Sequence, residues 1–204
     1  MIRLDNIEQG SPEWFTARVG IPSASNFDKI FTSKGAKSAQ SKAFMNTLLA
    51  EWVTGDKASV KQTEWMERGI ELEADARTAY EFITDETVEE TGIVYADELR
   101  LVSCSPDGLM KTKGLEIKCP APGTHIGYLI DQKLPTTYVQ QVQGSMYVTG
   151  LLEWDFMSYH PDMKPVIITV ERDDKLITTI DEIMQEFIET MLSKREQLEY
   201  LVAA

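Results

Sequence analysis

Asp107, Glu116 and Lys118 are the residues of this 204-residue chain whose types and order could do chemistry. In Leu115-Glu116-Ile117-Lys118, the two-residue period of a strand puts Glu116 and Lys118 on one face. Leu115, Ile117 and Cys119 fall on the other. Ser105-Pro106-Asp107-Gly108 reads as a turn, and a turn between two short strands would bring Asp107 near the start of that same polar face. Two carboxylates and an ammonium would then converge at the end of a sheet. Hard oxygen donors of this kind suit Mg²⁺ or Mn²⁺, which keep several waters and need few carboxylates. The Ile117 carbonyl could supply a further oxygen. A lysine alongside can orient or activate a metal-bound water and counter charge on a phosphate. The plain alternative is a solvated strand face with an i, i+2 Glu–Lys pair.

A third acid stands on a helical stripe. Met66, Ile70, Glu73, Arg77 and Tyr80 recur at spacings of four, three, four and three. A carboxylate within a stripe that faces a core needs a partner. On the other reading Leu72, Ala76 and Ala79 mark the buried face and Glu73 is solvated, paired with Arg77 one turn on. Gln141 lies beside the apolar face Val139, Val142 and Met146. Cys104 and Cys119 flank the acidic motif and read as small buried hydrophobes. His125 and His160 read as loop residues, and Asp181, Glu182 and Glu186 as the wet side of a helix.

The elements that must position these residues are legible in outline. Ser11-Pro12-Glu13-Trp14 carries an N-cap serine, a proline at the first helical position and an acid in the first turn. Helical periodicity covers about 39–53, with Gly55 as a stop, and about 63–82. Segments 91–95, 100–105 and 114–119 are short and β-rich. A helix follows over about 136–149 with Gly150 after it, then strands 154–159 and 166–171 and a last helix over about 174–198. No linker or repeat divides the chain. The expected fold is one α/β domain over 1–204, with a central mixed sheet flanked by helices.

Composition sets the setting. Twenty Lys and Arg against 33 Asp and Glu leave a formal charge of −13, which argues against a protein that coats nucleic acid non-specifically. It does not exclude a nucleic-acid enzyme with a local basic lining. No run approaches the roughly 18 apolar residues that span a bilayer, and MIRLDNIEQG has no apolar signal core. Two cysteines make neither a disulfide framework nor a four-cysteine metal site. A reduced, cytoplasmic protein with no membrane partner is expected.

An acid in a turn followed by Glu-x-Lys across a hairpin is similar to the signature of the PD-(D/E)xK nuclease superfamily. More narrowly, the chain resembles the lambda exonuclease type of phage recombination nuclease, the YqaJ-like viral recombinases. The resemblance is carried by Trp14, Ala17-Arg18-Val19-Gly20 and Ala24-Ser25, then Glu73-Ala74-Asp75-Ala76-Arg77. It continues through Cys104 to Leu109, Leu115 to Pro120 and Gln141-Val142-Gln143-Gly144-Ser145-Met146. It implies a restriction-endonuclease-like core and a Mg²⁺-dependent 5′→3′ exonuclease that digests one strand of duplex DNA from an end. A 3′ overhang for annealing-type recombination would remain.

By that resemblance Asp107 and Glu116 are metal ligands, Glu73 is an additional acid at the metal, Lys118 is the catalytic lysine and Gln141 positions water or phosphate. Arg18 and Ser25 take the place of a pocket for the 5′-phosphate, and Met66 that of an apolar wedge at the terminal base pair. The family forms homotrimeric rings and works with a single-strand annealing protein. Two departures stand out. Segment 121–127 lacks the basic residue the family places after its lysine, leaving His125 as a stand-in, and loop 32–41 has only two lysines. Apart from the resemblance, Arg18 reads equally as a surface residue paired with Glu13 or Asp28. An endonuclease of the same fold and a non-catalytic DNA-end-binding scaffold remain as alternatives.

Overall fold

Local signals in the sequence are realised at most element ends. Ser11 accepts a hydrogen bond from the Trp14 amide at 3.2 Å, and Pro12 opens α1 (Pro12–Ala17). A 3₁₀ segment, Ala24–Lys29, follows. Helix α2 (Ser41–Thr54) ends on Gly55 with φ 75°, the left-handed cap that glycine adopts without a Cβ clash. Helix α3 spans Glu64–Thr84. Helix α5 (Val139–Thr149) is led in by the 3₁₀ turn Thr136–Tyr138 and stops on Gly150 in the same conformation as Gly55. The last helix, α6, runs Asp174–Val202. The structure, a computed structural model, describes residues 1–57 and 64–202, without the side chains of 64–67, 70 and 202.

The strands divide into two sheets. One is antiparallel: β1 (Ile2–Leu4), β2 (Ile93–Tyr95) and β3 (Ser103–Cys104). The second is mixed: β4 (Gly108–Leu109), β5 (Lys113–Lys118), β6 (Glu153–Ser158) and β7 (Val166–Glu171). In it β5 and β6 run parallel, with Glu116 opposite Phe156, while β4–β5 and β6–β7 are antiparallel. A parallel pair needs a crossover, and here it is α4 (Pro122–Asp131) followed by α5. The mixed α/β architecture expected from the sequence is therefore present, with the mixed sheet at its centre. Among the described residues no helix is long and apolar enough to cross a membrane.

Two readings of the sequence need correction, and two strands are not foreseen by it. Segment 121–127 is not a loop: α4 begins at Pro122 and carries His125 into the interior. Its Gly123, Thr124 and Gly127 are poor helix formers that hid the element. Strands β1 and β4 have three and two residues, too short for a periodic signal. Nor is the Glu116 face of β5 solvated, because Glu116 is only 1% exposed.

The core has two parts on either side of the mixed sheet. The larger gathers Phe27, Ile30, Phe31, Leu48, Val142, Met146, Ile180 and Met184, where α5, α2 and α6 meet. The smaller sets Ala76 and Tyr80 of α3 against Leu115 and Ile117 of β5 and Met157 of β6. Gly144 lets α5 press on the first 3₁₀ segment: a Cβ there would lie 2.4 Å from Phe27 Cδ2. Gly144→Ala should therefore destabilise the protein by about 1–3 kcal/mol, as overpacking does. Urea unfolding checks this, and a change within error of zero would show that Phe27 yields freely.

Candidate active site

The antiparallel β4–β5 pair brings the turn acid to the strand. The Asp107 amide donates to the Leu115 carbonyl at 3.2 Å, and the Ile117 amide donates to Asp107 Oδ2 at 2.6 Å. A strand residue's N–H and C=O point to the same edge, so the Ile117 carbonyl faces the side on which Asp107 stands. The Glu116 side chain leaves the sheet on the face that α5 covers. There its Oε1 accepts from Gln141 Nε2 at 2.5 Å and from the Lys118 ammonium. Lys118 Nζ also lies 5.5 Å from the centre of the Tyr138 ring.

Helix α3 closes the group from the other side. Arg77, its side chain 14% exposed, binds Glu73 Oε1 at 2.9 Å, Glu90 Oε1 at 2.8 Å and the Asp107 carbonyl at 3.2 Å. The helix is anchored further along, where the Tyr80 hydroxyl donates to Asp155 Oδ2 at 2.5 Å and Lys113 Nζ reaches the same oxygen at 2.8 Å. Both readings of the α3 stripe hold in part. Ala76 and Tyr80 are the buried residues, and Glu73 sits at the rim of the same face, paired with Arg77.

Charge is crowded here. Burial, then the neighbouring Asp107 carboxylate, pushes Glu73 up to about 7 against the pull of Arg77 and Lys118. Burial also pushes Glu116 up to about 7; Lys118 opposes this and Asp107 adds to it. Asp107 is raised too, chiefly by burial. Burial would lower Lys118, but Glu116 and Asp107 more than offset it and raise its affinity for its proton. Three acids that repel one another thus crowd around one ammonium, and the oxygens of Asp107 and Glu116 are hard donors of the kind a divalent cation takes. Among the described residues no group of three or more His, Cys, Asp or Glu side chains is placed to hold a metal ion by itself. The described hydrogen bonds occupy one oxygen each of Asp107 and Glu116. Those two carboxylates and the Ile117 carbonyl are the available ligands, with Glu73 beside them rather than among them.

Two residues before Asp107, the same turn enters a second site. Arg18, the C-cap of α1, is 6% exposed and pairs with neither Glu13 nor Asp28. Its guanidinium stacks 3.9 Å from the centre of the Trp14 ring, and Nη1 and Nη2 each reach a hydroxyl at 3.3 Å, those of Ser105 and Ser25. Burial pushes its pKa down to about 10, so it stays charged at neutral pH. Ser105 Oγ also accepts from Trp14 Nε1, and Ser25 Oγ from Asn26 Nδ2. Each hydroxyl oxygen thus takes two N–H donors, which leaves its own proton to donate elsewhere. A buried guanidinium that pairs with no carboxylate among the described residues, flanked by two hydroxyl donors, has the chemistry that suits a phosphate.

Arg18 and Ser25 are thus brought together, as are Asp107, Glu116, Lys118, Gln141 and Glu73. Ser25 lies inside the first 3₁₀ segment, whose cap is Ser23. Met66 is on α3, but its side chain lies outside the described residues. His125 is no stand-in for a basic residue, because its ring is fully buried and held by Ser158 Oγ and the Lys164 carbonyl. Sequence reasoning missed Ser105. Its only signal was its place between Cys104 and the Pro-Asp-Gly turn.

Comparison with known proteins bears on the family and the fold. The YqaJ-like viral recombinase domain matches residues 13–152, a span that runs past both Arg18 and Gln141. The chain is 34% identical to an alkaline exonuclease, LHK-Exo, from Laribacter hongkongensis, with 95% of this chain and 98% of that one covered and a TM-score of 0.84. A structure of LHK-Exo in complex with dAMP matches at 32% identity, with the same coverage and TM-score. A phage-related exonuclease from Haemophilus somnus 129PT shares the fold, at 15% identity, 85% and 96% coverage and a TM-score of 0.63. Over 63 residues, 29% of this chain and 72% of the other, it is 38% identical to ExoD of Escherichia coli (strain K12). The chain belongs to the YqaJ-like viral recombinase family, and it is a nuclease of the alkaline-exonuclease kind.

Proposed function

We propose that this nuclease is a metal-dependent 5′→3′ exonuclease of duplex DNA. It takes a 5′-phosphorylated end, releases mononucleotides and leaves a 3′ single-stranded overhang. The observation that carries this reading is that Ser105 and Asp107 stand on one turn, the first in the Arg18 cradle and the second in the acidic centre. A grip on a terminal phosphate next to a hydrolytic centre suits removal of the last nucleotide of a strand. The dAMP bound to LHK-Exo, a mononucleotide, supports the product class.

Mg²⁺, or Mn²⁺ in its place, would be held by Asp107, Glu116 and the Ile117 carbonyl, with Glu73 acting indirectly. When bound it polarises the scissile phosphate and lowers the pKa of a water. Lys118, oriented by Glu116, and Gln141, bonded to the same oxygen, orient the attacking water and offset charge that builds on the phosphate oxygens. Arg18 and the hydroxyls of Ser25 and Ser105 hold the terminal phosphate, and the family resemblance assigns Met66 to the terminal base pair. By family resemblance the protein is of phage or prophage origin, acts in the cytoplasm as a homotrimeric ring and hands its overhang to a single-strand annealing protein.

With Mg²⁺, linear duplex should be degraded and closed circular duplex left intact. Cutting of the circle would turn the reading to an endonuclease, and inertness on both to a scaffold. In the same assay wild-type protein should prefer 5′-phosphorylated ends, and Arg18→Ala should lose roughly 10- to 100-fold of that preference. If Arg18→Ala slows both ends equally, the cradle is not a phosphate site. Asp107→Ala, Glu116→Ala and Lys118→Ala should each cost on the order of 10²–10³ in rate, with metal binding kept in the lysine variant. More than about a tenth of wild-type activity in any of them removes that residue from its role.

The crowding of acids also predicts a pH effect on metal-free protein. Glu116 holds its proton up to about 7, against an ordinary 4.5. Its folded pKa is thus raised, so it favours the fold below the ordinary value, and that contribution is lost as pH rises through about 7. Glu116→Gln is neutral throughout and carries the cost of leaving Lys118 without its carboxylate at both pH 5 and pH 8. In EDTA the wild-type Tm should therefore fall between pH 5 and pH 8 by roughly 2–4 °C more than that of Glu116→Gln. An equal fall in both proteins would show that the charge on Glu116 is not responsible.

A further inference from the structure

The turn that presents Arg18 is held from behind by residues outside the cradle. Gly20, two residues on, has φ +67°, and a Cβ there would lie 2.9 Å from Trp52 Cβ and 3.1 Å from the Leu48 carbonyl oxygen. Its amide donates to Glu51 Oε2 at 3.0 Å, and its carbonyl accepts from Arg195 Nη2 at 2.6 Å. Glu51 Oε2 also takes Lys57 Nζ at 2.7 Å, and Lys57 Nζ donates to the Arg18 carbonyl at 3.2 Å. Helix α2, the segment after it and α6 thus converge on residues 18–20.

The chemistry explains why the acid stands here and not on the guanidinium. A carboxylate bonded to Arg18 would occupy the donors that a phosphate must use. Glu51, 4% exposed, is instead bonded to Gly20 and Lys57. From there its charge helps keep Arg18 protonated against burial without taking any of its N–H groups.

We propose that Glu51 is a positioning residue for recognition of the terminal phosphate, clamping the Arg18–Gly20 turn together with Lys57 and Arg195. Selectivity for the phosphorylated end is then set from α2, behind the cradle. This inference rests on the 5′-phosphate reading above.

The test is binding of blunt duplexes with 5′-phosphate or 5′-hydroxyl ends, followed by fluorescence anisotropy in EDTA, so that no cleavage intervenes. Glu51→Gln keeps the length of the side chain and an acceptor for Gly20 but loses the ion pair with Lys57. It should lower the phosphate-to-hydroxyl affinity ratio about fivefold, and Glu51→Ala about tenfold or more, with hydroxyl-end binding held within about twofold. Circular dichroism reports folding, and if the alanine variant fails to fold, the glutamine variant decides. An unchanged ratio in folded Glu51→Gln, or equal weakening of both ends, overturns the proposal. Arg18→Ala measured alongside separates the two claims. If it loses the ratio while Glu51→Gln keeps it, the positioning role alone falls. If wild-type protein shows no ratio, or Arg18→Ala retains it, the phosphate reading falls and takes this one with it.

Discussion

Much of the architecture answers to one buried carboxylate. Glu116 is sealed beneath α5, and a charge so placed is costly unless every part of it is paired. Its Oε1 draws Lys118 from the same strand and Gln141 from the crossover helix. The parallel run of β5 and β6 needs a long crossover, and that crossover lays α5 over the strand that precedes it. The Gly144 contact that seats α5 on the first 3₁₀ segment therefore bears on the chemistry as well as the core.

Pairing at Glu116 does not neutralise the group as a whole. Asp107 remains near enough to raise the affinity of Glu73 for its proton, and Arg77 is divided among three partners. A fold selected for stability alone would not gather three acids about one lysine. Active sites commonly retain such locally unfavourable arrangements where chemistry needs them. The cost is carried by the rigid surroundings, in which Asp155 ties Tyr80 of α3 to Lys113 at the opposite end of β5.

What was legible in the sequence is what depends on short-range rules. The alternation around Glu116, the Ser-Pro start of α1 and the glycine stops after α2 and α5 are local, and all hold in the fold. The meeting of Asp107 with Glu116 could be read because one hairpin spans it. What stayed hidden depends on distant partners. Ser105 looks like any serine before a turn until Arg18, 87 residues earlier in the chain, is placed against it. Helix α4 has a glycine-rich sequence and is held by burial of His125 rather than by propensity. The buried state of Glu116 depends on α5, which no pattern within β5 announces.

The bond from Arg195 to the Gly20 carbonyl joins residues 175 positions apart. During synthesis Asp107, Glu116, Lys118 and Gln141 all leave the ribosome well before residue 195 does. The acidic centre thus has its side chains before the turn bearing Arg18 has its last clamp. Ile177, Ile180 and Met184 of α6 also pack in the core with Val142 and Met146 of α5, so docking of α6 seats the helix that bears Gln141 and clamps the Arg18 turn in one step.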